Sequence, residues 1–156
     1  MYGAQYARME NGCAVPSLAY ALGKNSEEIT KGDLLEVNSG ITEALDGTSA
    51  RPLGIANQDG TMSSDNQTVA QVEIGYTPLG NDVVFEMDLD ATTSNAVQGQ
   101  FFTLTGATGA QEVDFSSASA TVGQVQLIKL DPRGTGSVVR GLFRSALTGL
   151  SFEPET

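Results

Sequence analysis

The stretch KGDLLEVNSGITEALDGTSARPLGIANQDGT, residues 31–61, determines the fold class of this chain of 156 residues. It contains three short β-prone runs, at 33–37, 41–45 and 52–56, and residues that favour turns stand between them. Glycine adopts positive φ without a steric penalty, so pairs such as Asp46-Gly47 let the chain reverse between strands. The stretch therefore predicts short strands joined by tight turns.

The same pattern continues towards the C-terminus. Further strands are predicted at 68–76, 82–87, 99–104, 122–130 and 138–147. Apolar and polar residues alternate in the run 68–76, as they do in half-buried antiparallel strands. Both faces of the run 122–130 are mixed, so its orientation stays ambiguous.

This spacing of strands and turns predicts a mainly β fold, namely a compact small β-barrel or β-sandwich. We expect at most one or two short helices. The best candidate covers residues 91–97, with Asp90 as its N-cap.

Residues 1–30 differ from the rest because they show no clean helical or strand period. We interpret them as an extended N-terminal arm and residues 31–156 as a single β domain. Two interpretations of the arm stay open. It is either a lead-in that lays one segment on the domain, or a segment that becomes ordered only on a neighbouring subunit. We expect the β domain to fold without the first twenty residues.

The composition argues against most catalytic chemistry. The chain has no His, which excludes imidazole bases, serine triads and His-ligated zinc. Cys13 is the single cysteine, so neither an internal disulfide nor a Cys-only metal site can form. We therefore expect no enzyme activity, no cofactor, no metal and no catalytic residue.

The formal net charge of -11 argues against nucleic acid as a partner, because such a surface repels phosphates. No apolar run approaches the ~20 residues that span a bilayer, so no membrane partner is expected either. Residues 125–150 depart from this acidity, since they hold four cations against Asp131 alone. Arg133, Arg140 and Arg144 form a basic strip that could orient the protein on an acidic surface. Ordinary salt bridges within the fold are the alternative.

Glu86, Asp88 and Asp90 form the densest group of carboxylates. In an extended strand they share one face, where they could hold Ca²⁺. The loop lacks the glycine and the final glutamate of an EF-hand, so a solvated face that discourages aggregation is the preferred interpretation.

The stretch 31–61, followed by QTVAQVEI at 67–74, resembles the head-decoration (capsid cement) proteins of tailed bacteriophages. The matching residues are Lys31-Gly32-Asp33, then Gly40 and Asp46-Gly47, then Pro52-Leu53-Gly54-Ile55-Ala56, and finally Gly60. The likeness covers about 45 residues, and residues 90–156 carry no motif of the family.

This resemblance implies a β-tulip-like fold and a structural virion protein that binds the exterior of the expanded capsid and stabilises it. It further implies the major capsid protein as partner, a homotrimer, synthesis in the host cytoplasm and a final place on the outer surface of the virion. We expect the contacts with the capsid to come from the arm and the basic strip. The candidate contact residues are Tyr2, Tyr6, Met9, Leu18, Tyr20, Arg133, Arg140 and Arg144.

Two other functions stay open. One is a different virion component, such as a head-fibre base or a tail module. The other is a β module that binds surface glycans, although the chain has no Trp to line a sugar site.

Overall fold

The computed structural model describes residues 3–9, 19–22, 28–38, 41–46, 52–61, 73–79, 83–90, 98–130 and 139–146. The strands in these residues are β1 (Gln5–Met9), β2 (Ala19–Leu22), β3 (Glu28–Ile29), β4 (Leu34–Asn38), β5 (Ile41–Ala44), β6 (Gly54–Ala56), β7 (Gly60–Thr61), β8 (Glu73–Pro78), β9 (Val83–Leu89), β10 (Phe101–Phe102), β11 (Leu104–Thr105), β12 (Glu112–Val113), β13 (Val125–Leu130) and β14 (Val139–Ser145). One 3₁₀ turn covers Phe115–Ser117, and the carboxylate of Asp114 caps it by accepting the Ser116 N–H at 2.9 Å.

Seven strands form a nearly closed barrel. Hydrogen-bonded neighbours follow the order β10, β13, β14, β9, β12 and β11, and β1 also pairs with β9. The two ends of this order, β10 and β11, are consecutive in the chain, with only Thr103 between them. Because this one stretch pairs with β13 at its start and with β12 at its end, the sheet returns on itself.

A second sheet of five strands has the order β2, β8, β6, β4 and β5, and every pair in it is antiparallel. Strands β3 and β7 form a separate two-stranded ladder. The alternation of side chains gives the second sheet two apolar faces. Leu34 and Ile55 point to the barrel core, whereas Leu35 and Ala56 join Ile29 in a smaller cluster on the other face.

The main core fills the barrel and extends to the second sheet. Phe85, Phe102 and Phe143 are fully buried, and the ring of Phe143 contacts both of the others at a centroid distance of 6.4 Å. Such aromatic pairs stabilise a core beyond the area that they bury. The two sheets therefore share one hydrophobic core.

The predicted fold class is confirmed, since the protein is mainly β with a barrel-shaped sheet and a second sheet. Each predicted run coincides with at least one strand, and the run 99–104 becomes the two short strands β10 and β11. The candidate helix at 91–97 and the first part of the run 68–76 lie outside the described residues. Gly54 permits a close approach of β6 to β8, because an added Cβ would lie 2.6 Å from the Thr77 carbonyl oxygen.

The described residues among 1–30 form three strands, although the sequence shows no clear period there. β1 pairs with the barrel strand β9, β2 pairs with β8 of the second sheet, and β3 pairs with β7. Ala4 is only 2% exposed and belongs to the main core. Deleting the first twenty residues would therefore remove β1 and the first half of β2, so such a truncation is not a clean test of an arm. The boundary between an arm and a domain at residue 30 stays a prediction.

Candidate functional site

The Lys31-Gly32-Asp33 segment forms a turn that joins three parts of the chain. The Asp33 carboxylate, 1% exposed, accepts the backbone N–H groups of Thr30 and Gly109 at 2.8 Å each. The hydroxyl of Thr108 donates to the same carboxylate. One buried side chain thus closes the turn and holds a loop more than seventy residues away, and its charge is matched by donors rather than left unpaired.

The same turn anchors the N-terminal segment. The Ala4 N–H donates to the Gly32 carbonyl at 2.6 Å, and Gly32 has a φ of +95°. Gly3 has a φ of +86°, and a Cβ added there would lie 2.9 Å from the Gly32 oxygen. The positive φ favours glycine at both positions where the N-terminal segment crosses the turn, and the close approach also requires it at Gly3.

Two buried glutamines connect the barrel to the second sheet. The Gln111 side chain accepts the Leu34 N–H at 2.7 Å and donates to the Leu45 carbonyl at 2.8 Å. The Gln124 side chain accepts the Leu104 N–H at 2.9 Å and donates to the Asp46 carbonyl at 2.7 Å. Glutamine is mostly an exposed residue, so nothing in the sequence marks these two as buried.

An open groove of about 400 Å³ lies between β1 and the second sheet. Tyr6 forms part of one wall and is 38% exposed, which is unusual for a large aromatic side chain in this fold. The other residues that line the groove are Ala4, Gln5, Lys31, Gly32, Ile55, Ala56, Asn57 and Thr77.

The expected capsid contacts are distributed unevenly over the structure. Tyr6 is exposed, but Met9 at the other end of β1 packs against the main core. Tyr20 lies in β2 opposite Gly75. The remaining arm residues, Tyr2 and Leu18, lie outside the described residues, as does Arg133 of the basic strip.

Arg140 and Arg144 both belong to β14, which crosses the middle of the barrel sheet. Arg140 is opposite Asp88 in the register of β14 and β9. Arg144 is opposite Val84, and its Nε donates to the Gln126 Oε1 at 2.8 Å on the adjacent strand β13. This hydrogen bond fixes the direction of the half-buried arginine along the sheet.

The carboxylate row differs from a fully solvated face, because Asp88 is only 5% exposed. Asp90 is exposed and accepts the Phe115 N–H at 2.7 Å, so it stabilises the loop after β12. Partial burial raises the pKa of Glu112 in β12, and the charges of Asp90 and Asp88 raise it further. Among the described residues, no group of three or more His, Cys, Asp or Glu side chains could hold a metal ion.

In the part of the chain that the structure describes, no helix is long and apolar enough to cross a membrane. Comparisons of this chain with models of protein families, with curated proteins and with solved structures found no match.

Proposed function

We propose that this protein is a structural virion protein, a decoration protein that binds the exterior of the expanded capsid of a tailed bacteriophage. A protein that binds only the expanded shell stabilises that shell by mass action, and it needs no catalytic group to do so. The partner is the major capsid protein, and a homotrimer would multiply the contacts of each copy.

The observation that carries this proposal is the turn at Lys31-Gly32-Asp33, where the resemblance to the decoration proteins begins. Its Gly32 carbonyl binds the Ala4 N–H, so the turn holds the N-terminal segment on the β domain. The second matching segment, Pro52–Ala56, contains β6, which pairs with β4 directly after the turn. The turn and the Pro52–Ala56 segment are thus neighbours in the fold, which supports the proposal, whereas the matching Gly40 and Gly47 lie outside the described residues.

Tyr6 is the described residue best suited to a contact from the N-terminal segment. Tyr6, at 38%, and Val122, at 47%, are the large apolar residues that are exposed among the side chains that the structure describes. Aromatic side chains are enriched at the centres of protein interfaces. We therefore assign Tyr6 to the contact with the capsid, together with the residues expected from the arm and the basic strip.

Cosedimentation of the purified protein with phage heads, before and after expansion, tests the proposal. We expect saturable binding to expanded heads only, and weaker binding of the Tyr6→Ser variant. Val122→Ser is the matched control, since it removes an apolar side chain that is 47% exposed at another place on the surface. Absence of binding to either form of the head would reject the capsid role, and assembly of the protein alone into tubes or rings would favour a tail module.

A further inference from the structure

The outer face of four barrel strands collects most of the described cations. The described cationic side chains are those at positions 8, 31, 129 and 144, and Arg140 is a fifth cationic residue whose position in its strand is described. The strands β1, β9, β14 and β13 are neighbours in the barrel, and four of these five positions lie on them. Only Lys31 lies elsewhere, in the turn before β4.

The register places Arg8 and Arg144 in one row across this face. Arg8 of β1 is opposite Val84 of β9, Val84 is opposite Arg144 of β14, and Arg144 is opposite Gln126 of β13. Neighbouring strands lie about 4.8 Å apart, so the two arginine backbones are roughly 10 Å from each other. Val84 between them is 0% exposed. Long arginine stems cover apolar surface of this kind while their guanidinium groups stay in water.

Lys129 lies in the next row. It is exposed and is opposite Leu142, which is opposite Glu86 on the far side. Two irregularities in the register bring Arg8 and Lys129 to this face. One lies between Tyr6 and Arg8, and the other lies between Leu127 and Lys129. Each inserts one residue, so the side chain that follows changes face.

We infer that this face, defined by Arg8, Lys129, Arg144 and the register position of Arg140, docks on an acidic surface of the partner protein. The inference rests on the proposed function and specifies the chemistry of the capsid patch. Glu86 and Asp88 are the two acids in the rows of Arg8, Lys129 and Arg144 and at the position opposite Arg140, so three described cations exceed two carboxylates there. On a chain whose net charge is -11, such a face orients the approach to a negatively charged partner, because the rest of the surface is repelled.

The double variant Arg8→Gln/Lys129→Gln tests this face, since both side chains are exposed and their loss does not disturb the core. Lys31→Gln is the control, because it removes a cation that is also exposed but lies off the face. We expect the double variant to bind expanded heads about tenfold more weakly and with a smaller dependence on salt, while Lys31→Gln binds as the wild type does. Unchanged affinity and salt dependence of the double variant, or an equal loss in Lys31→Gln, would overturn the inference.

Retention on immobilised poly-L-glutamate separates this inference from the capsid role. We expect the wild type and Lys31→Gln to be retained at low salt and released as salt rises, whereas the double variant passes through. If the wild type is retained there but does not bind heads, the capsid role fails and the acidic docking face stands. If the wild type passes through poly-L-glutamate, or is retained on immobilised DNA instead, the acidic protein surface is the wrong partner chemistry.

Discussion

Asp33 explains why a short polar segment can organise a large part of this fold. Its carboxylate accepts the N–H of the nearby Thr30 and, from a loop more than seventy residues away, the Thr108 hydroxyl and the Gly109 N–H. A buried donor that loses its acceptor retains the full penalty of desolvation. Asp33 therefore stabilises the fold through the hydrogen bonds that its carboxylate accepts rather than through an ion pair.

We expect Asp33→Asn to lower the free energy of unfolding by roughly 1–3 kcal/mol, because an amide offers one acceptor atom where the carboxylate offers two. Asp59→Asn is the control: its carboxylate also accepts a backbone N–H, that of Lys31 at 2.7 Å, but it is exposed. Water can replace that hydrogen bond. The free energy of unfolding of Asp59→Asn should therefore fall by about 0.5 kcal/mol or less, as is usual for surface substitutions. Urea unfolding of both variants measures the difference, and equal losses would show that burial of Asp33 is unimportant.

The barrel strand β12 illustrates how a very short element depends on its neighbours. It pairs antiparallel with β11 and touches β9 at the single parallel position Val113 to Leu89. Its other residue, Glu112, has a raised pKa because it is partly buried and because the charges of Asp90 and Asp88 are close to it. A carboxyl whose pKa is higher in the folded state is easier to ionise in the unfolded chain, so its ionisation favours unfolding.

The free energy of unfolding therefore falls as the pH rises above 4.5, the ordinary pKa of a glutamate, and through the raised pKa of Glu112 in the folded state. We expect Glu112→Gln to remove this loss, which gives a variant that is more stable at pH 7 and equal to the wild type near pH 3. The gain should not exceed about 0.5 kcal/mol, because Glu112 is partly exposed and water screens the repulsion. Thermal unfolding at both pH values measures it. Glu28→Gln, an exposed position in β3, controls for the change in net charge, and an equal gain there would contradict the local cause.

The strands that could be predicted are those whose side chains alternate over several residues. The run 82–87 became β9 because Val83, Phe85 and Met87 all point into the core. β1 could not be predicted in this way, since Gln5, Tyr6 and Arg8 are exposed and no apolar period marks the strand. β3, β7 and β12 contain two residues each, too few for any period.

The sequence did not indicate that Arg8 and Lys129 share a face with Arg144, and the reason is the same for both residues. The run 122–130 had mixed faces because strict alternation groups Lys129 with Val125 and Leu127. In the structure the register shifts between Leu127 and Lys129, so Leu127 stays inward while Lys129 turns outward. Arg8 changes face in the same way. A bulge depends on the pairing with the neighbouring strand, which a single run of residues does not contain.

At the scale of the whole molecule, the two sheets are one structural unit. The main core contains Phe85 and Phe143 of the barrel together with Leu34 and Ile55 of the second sheet. Gln111 adds hydrogen bonds across the same boundary. Unfolding either sheet alone would expose the shared core and leave buried donors without acceptors, so we expect both to unfold in one transition.

Native-state hydrogen exchange in Gln111→Ala tests this coupling. The variant leaves the Leu34 N–H and the Leu45 carbonyl without the partner that they have in the wild type. We expect the opening free energies of amides in β9 and in β6 to fall by the same amount, roughly 2–4 kcal/mol, because both report the same global unfolding. Gln98→Ala, at an exposed position before β10, should leave both unchanged. A decrease confined to β6 would show that the second sheet opens by itself, and the shared core would then not be enough to make the two sheets cooperative.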